Sequence, residues 1–206
     1  ITKTIKLFIN GEFPRTESGR SFPVYYHDSK NVYAHFCLAS RKDLRNAVQA
    51  AGKAQGGWAA KTAYNRAQIL YRMAEMLEGK RMEFVQNLNE TLGLTAKESN
   101  KAVDEAIDAF VFYAGFADKY QQLIGSVNPV SGPHHNFTSP EAVGVVGLVY
   151  DKEFDFGGLA AQMASVICSG NTMVVLMGKA SVILAPLAEV FGTSDLPGGV
   201  INLLSG

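Results

Sequence analysis

Five consecutive residues, Asp151-Lys152-Glu153-Phe154-Asp155, set three carboxylates and an ammonium directly after the apolar run "GVVGLVY" (144–150). In an open α/β sheet, ligands sit at the carboxyl ends of the strands, so chemistry is sought there first. Glu153 and Asp155 have the functional groups for paired acid and base work, but a solvated acidic loop accounts for the same residues and is the expected reading. Lys179, at the start of a later helix, carries a charge that suits a phosphate; an exposed lysine at a helix start accounts for it equally. Cys168 shares a helical stripe with Leu159, Met163 and Ile167, just before a Gly-Asn turn, and reads as a small core residue rather than a nucleophile. Cys37, in the strand-like "VYAHFCLA", reads the same way. His134 and His135 are adjacent, so in extended chain they face opposite ways and chelate poorly. No catalytic residue and no metal site is assigned. "GVVG" (144–147) is no phosphate loop, and its glycines are expected to permit close backbone packing. Trp58 is expected to plug the core beside a helix end, and Phe112, Tyr113 and Phe116 to serve as helix packing.

The chain that must position these groups has 206 residues, 47% of them hydrophobic, with zero net charge. That is enough to bury a core as one large domain, taken here as 1–206. Neutral charge argues against nucleic acid or an anionic membrane as a partner. No apolar run is long enough to span a bilayer, and "ITKTIKLFING" lacks a signal peptide's apolar core. Two distant cysteines fit a reducing, cytoplasmic setting rather than a disulfide framework.

The pattern changes twice along the chain. "IKLFINGEF" (5–13) alternates around Asn10-Gly11, a strong hairpin signal, and 14–38 looks irregular. Ser40-x-x-Asp43 reads as a helix start, followed by Leu44, Val48 and Ala51 at helical spacing, with Gly56-Gly57 as the expected end. Further helices are expected at about 62–79, 81–92 and 96–120, the last with an inward stripe of Val103, Ile107, Phe110, Ala114 and Ala117. An extended hairpin is expected at 126–141 and a strand at 143–150. Then helix 156–169, strand 172–177, helix 182–192 and an apolar run at 200–204 give βαβαβ, hence a parallel sheet with right-handed crossovers. Three strands are fewer than such sheets usually hold.

In this setting "KLFINGEF", "RAQILYRMAEMLE" (66–78), "YAGFAD" (113–118), "GVVGLV" (144–149), "SGNT" (169–172) and "LPGGVIN" (196–202) resemble the amino-terminal half of an NAD(P)-dependent aldehyde dehydrogenase. They follow the family's order and spacing over essentially the whole chain. "PRTESGRSFPV" (14–24), "TAYNRAQILYRMAEMLEG" (62–79) and "TSDLPGGVIN" (193–202) are most similar to the shortened, non-catalytic second unit of two-unit aldehyde dehydrogenases. The resemblance implies an α/β fold: a helical amino-terminal part, an incomplete Rossmann-like parallel sheet of the cofactor domain, and a projecting hairpin arm at 126–141 used in oligomerisation.

The resemblance also implies a mechanism in which a cysteine thiolate attacks the aldehyde, an asparagine and a backbone N–H hold the oxyanion, and hydride passes to NAD(P). The family's cysteine and water-activating glutamate fall beyond Gly206. Its Pro-Trp-Asn-Phe-Pro motif aligns with Asp151, Lys152, Glu153, Phe154 and Asp155, so Glu153 replaces the oxyanion-binding asparagine. A carboxylate donates no hydrogen bond and repels an oxyanion. Its Lys-Pro-x-Glu ribose motif aligns with Leu176, Met177 and Lys179: leucine replaces the lysine, and Lys179 the acid. Glu153, Leu176 and Lys179 thus match cofactor-site positions without the chemistry, and no cofactor is expected for this chain. The expected role is structural: a non-catalytic module pairing with a catalytic aldehyde dehydrogenase unit, or with itself, through the 126–141 arm. The alternative is the amino-terminal fragment of a working NAD(P)-dependent aldehyde dehydrogenase.

Overall fold

A computed structural model describes residues 3–151 and 153–206. It opens with β1 (Thr4–Ile5), β2 (Ser21–Tyr25) and β3 (Val32–Cys37) in one small sheet of order β1-β3-β2. β1 runs parallel to β3 and β2 antiparallel to it. The region 14–38 is therefore not irregular throughout. β2 contains Pro23 and pairs only with β3, the edge setting in which a strand tolerates proline. Between β1 and β2 the chain turns at Asn10-Gly11, both at positive φ (58° and 77°), and Ile9 bridges Glu12 across the turn. These dihedrals are what a two-residue hairpin loop requires.

Four helices follow: α1 (Arg41–Ala59), α2 (Ala63–Gly79), α3 (Arg81–Leu92) and α4 (Ala96–Phe116). Ser40 and Asp43 form a reciprocal capping box at the start of α1. Burial favours the neutral form of Asp43, yet hydrogen bonds from Thr16, Ser40 and Glu17 outweigh it and hold the carboxyl below its ordinary value. The helix does not stop at Gly56-Gly57; it runs on through Trp58 to Ala59. Its buried stripe is Ala47, Ala50 and Ala51, whereas Leu44 and Val48 are 48% and 44% exposed, so the expected phase is corrected. α4 ends at Phe116 rather than 120, and a short α5 (Tyr120–Ile124) follows. Its core stripe is Val103, Ala106, Phe110 and Ala114, with Ile107 partly buried beside it. Phe112 is 63% exposed and stacks on Phe116 at the surface, so it is not core packing.

A short antiparallel ribbon comes next, β4 (Ser126–Asn128) with β5 (Asn136–Thr138). Then β6 (Val145–Val149), α6 (Phe156–Cys168), β7 (Thr172–Leu176), a 3-10 stretch (Gly178–Ile183), α7 (Leu184–Thr193) and β8 (Ile201–Leu204) complete the chain. The order β6-β7-β8 is parallel throughout, as the βαβαβ pattern requires. β7 and β8 are buried almost entirely, because the sheet is covered on both faces there. Met173, Val175, Ile201 and Leu203 point into the main core with α6 and α7. Val174 and Leu204 point the other way, against Ala47 and Ala51 of α1. β6 alternates exposed and half-buried residues, and its outer edge has no strand partner among the described residues. The outer edge of β8 is met by Phe8, which exchanges backbone hydrogen bonds with Leu203 at 3.0 and 2.7 Å.

Two side chains join the α1–α2 corner to α6. Trp58, 1% exposed, donates Nε1–H to the Ile167 carbonyl at 2.9 Å. Arg66, 5% exposed, donates Nε–H to the Cys168 carbonyl at 2.9 Å and Nη1–H to the carbonyls of Ala59 and Lys61. The carboxyl end of α6 is thereby capped from the α1–α2 corner. Trp58→Phe keeps most of the buried ring; the Ile167 carbonyl keeps its bond from the Gly170 amide but loses the indole donor. It is expected to lower the free energy of unfolding by about 1 kcal/mol, read from urea denaturation; an unchanged midpoint would refute the capping role.

Candidate functional site

The loop after β6 is organised by Tyr150, which is 3% exposed. Its hydroxyl accepts from the Asp155 amide at 2.8 Å and donates to the carbonyls of Asp155 and Glu153 at 2.8 and 3.3 Å. Burial pushes the phenol above its ordinary value. The loop therefore folds back on the end of its own strand. Asp155 is the N-cap of α6: its Oδ1 accepts from the Gly158 amide at 2.8 Å. Glu153 turns to Lys179, with Nζ to Oε1 at 3.0 Å, and both side chains are well exposed. The two carboxylates that could have formed an acid–base pair are committed to different partners. Lys152 lies outside the described residues.

The backbone between β7 and α7 approaches this loop closely. Gly178 has φ +48°, and a Cβ there would collide with the Tyr150 carbonyl oxygen. The peptide after Met177 thus lies directly against the strand end, leaving Lys179 to reach back to Glu153. Leu176, at the end of β7, lines an apolar cavity of about 500 Å³ with Leu44, Val48, Val145, Val149 and Leu204. Met177, at the next position, is fully buried. Gly144 and Gly147 meet no neighbour within 4 Å of an added Cβ, so close backbone packing does not explain them.

Cys168 is 3% exposed, and burial raises its thiol to about 11, with the Arg66 charge a smaller opposing influence. It donates to the Ser165 carbonyl at 3.2 Å, inside its own helix turn. Cys37 is likewise buried. His134 and His135 belong to no convergent set of ligands: among the described residues no three His, Cys, Asp or Glu side chains are grouped to hold a metal ion. No helix among them is long and apolar enough to cross a membrane.

With this geometry in place, the comparisons with known proteins become specific. The profile of the aldehyde dehydrogenase family matches residues 13–206. The chain belongs to the aldehyde dehydrogenase family. It is 32% identical to a mitochondrial benzaldehyde dehydrogenase of Antirrhinum majus, covering 98% of this chain and 38% of that protein. It is 31% identical to human retinal dehydrogenase 2 over 99% of this chain and 40% of that one. A solved NAD+ complex of aldehyde dehydrogenase from Bacillus cereus superposes with a TM-score of 0.92 at 30% identity, covering 99% of this chain and 42% of that one. The chain thus spans about two fifths of the length of these relatives, at their amino-terminal end. The mixed α/β architecture and the parallel sheet are those of aldehyde dehydrogenase structures.

Of the three residues expected at cofactor-site positions, the structure brings Lys179 to Glu153 and places Leu176 in the wall of the apolar cavity. Sequence reasoning missed Tyr150 as the organiser of the loop and Asp155 as a helix cap. The second was open to detection: an Asp one residue before an apolar helical run is a cap signature. The thiol of Cys168 stays protonated and enclosed through neutral pH. In the native protein at pH 8, an aromatic disulfide reagent should titrate neither cysteine, and both should react in denaturant. Rapid native labelling of Cys168 would show that this end of α6 is open.

Proposed function

We propose that this module is non-catalytic and serves assembly within an aldehyde dehydrogenase, as the partner of a catalytic unit or of a second copy. The observation that carries the reading is the Glu153–Lys179 pair. Where the family places an oxyanion donor and a ribose-binding acid, this chain has a carboxylate and an ammonium that neutralise each other. Loss of one oxyanion donor alone costs roughly 10²–10³ in kcat. Leu176 offers no donor to a ribose hydroxyl, and Lys179 no acceptor. The residues present do not fit an adenosine ribose. A cytoplasmic setting accords with two unpaired, buried cysteines.

Assembly is supported by what the surface leaves uncovered. Val127, Val130 and Phe137, in and beside the β4–β5 ribbon, are 72%, 40% and 64% exposed. A two-stranded ribbon is marginal in water, and its open edges invite a further strand. Strand addition by a neighbouring unit would cover both the edges and the apolar side chains.

A second reading is the amino-terminal part of a working dehydrogenase, favoured by the two-fifths span of the relatives. A cysteine in a family-like Gly-Gln-x-Cys context downstream in the uncut gene would support it.

The 206-residue chain is expected to show no aldehyde-dependent reduction of NAD(P) and no micromolar NAD binding by calorimetry. Turnover that Cys168→Ala abolishes, or a micromolar dissociation constant, would overturn the non-catalytic reading. For assembly, light scattering should show association that a variant lacking 127–140 loses. A strictly monomeric intact chain, whose binding to the catalytic unit survives the deletion, would sink the assembly role.

A further inference from the structure

The Arg66 guanidinium is more than nine-tenths buried, yet every partner it has is a neutral carbonyl. Nε and Nη1 supply those bonds. Nη2 takes part in no hydrogen bond among the described residues, and no carboxylate there forms an ion pair with Arg66. Nη2 is not wholly enclosed, so its remaining donors face space that water or a ligand can reach. Arg66 forms part of the wall of a cavity of about 470 Å³ at the base of the β4–β5 ribbon, between the α1–α2 corner, α5 and residues 139–142.

The other walls repeat the theme. Tyr120, 7% exposed, lines the cavity, and its hydroxyl has no partner among the described residues. Gln55, Gln121 and Ser139 line it too, and their side chains have no hydrogen-bond partner among the described residues. One cation and several neutral polar residues thus border a single space. The sole charge of opposite sign in the lining is Glu141, which is exposed.

We propose that this cavity is a binding site for a small carboxylic acid, its carboxylate held by Arg66 Nη2 and the Tyr120 hydroxyl, with Gln55 and Gln121 closing over it. A guanidinium edge with flanking neutral donors suits a planar, singly charged oxyanion. Glu141 repels the ligand and limits its affinity. The site lies outside the loop at 151–155 and holds whether the module catalyses or assembles.

The test is calorimetry and side-chain amide NMR on the intact protein titrated with sodium acetate, against sodium chloride at equal ionic strength. Arg66→Met removes helix caps and risks the fold, so the decisive variant is Gln121→Glu, at an exposed position whose side chain has no partner among the described residues. Saturable acetate binding with shifts in the Gln55 and Gln121 amides is expected. Gln121→Glu should weaken it by about tenfold or more, and Glu141→Gln should strengthen it. Chloride reproducing the shifts, acetate binding unaltered by Gln121→Glu, or inorganic phosphate binding more tightly than acetate would overturn the assignment.

Discussion

The carboxyl end of α6 is capped by side chains from the α1–α2 corner, and that capping ties the amino-terminal helices to the α/β part. The last carbonyls of any helix lack intrahelical partners and carry the negative end of its dipole. Here the donors come from more than a hundred residues upstream: the indole of Trp58 for Ile167 and the guanidinium of Arg66 for Cys168. Arg66 also closes the end of α1 at Ala59, so one cation serves two helix termini at once. This explains why α1 continues through Gly56-Gly57: its end is held by tertiary donors and needs no left-handed glycine. With α6 pinned at this end, its opposite end is delivered to the carboxyl side of β6, beside Asp155.

Much of this was legible in the residues, and the exceptions have physical reasons. The capping box at Ser40 and Asp43, the helices through Met73 and Phe84, and the βαβαβ alternation all follow from local pattern. The phase of α1 was misjudged because Leu44 and Val48 are apolar but face a groove beside the free edge of β6. Apolar periodicity marks a face; what covers that face is a tertiary fact. β3 was read as strand-like, but its partner β2 was missed because Pro23 and nearby Gly19 mask an edge strand. The pairing of Phe8 with Leu203 links the two ends of the chain, beyond the reach of any local signal.

At the candidate site the residue types were legible, and the contacts they make were not. Nothing in the spacing of Glu153 and Lys179, 26 residues apart, announces that they pair. Nor does the sequence show that a tyrosine hydroxyl would serve the loop's own backbone, since its partners are main-chain groups common to every residue.

The loop after β6 is held by contacts of its own: Glu153 with Lys179, Asp155 with the first turn of α6, Tyr150 with the backbone of both acids. An exposed ion pair contributes at most about 1 kcal/mol, so Glu153 and Lys179 add little stability. Their effect is electrostatic: each offsets the other's charge beside the end of β6. The helix cap and the buried tyrosine contribute more, each satisfying main-chain groups that an irregular loop leaves exposed. The arrangement is that of a strand end whose charged and main-chain groups are met from within the chain.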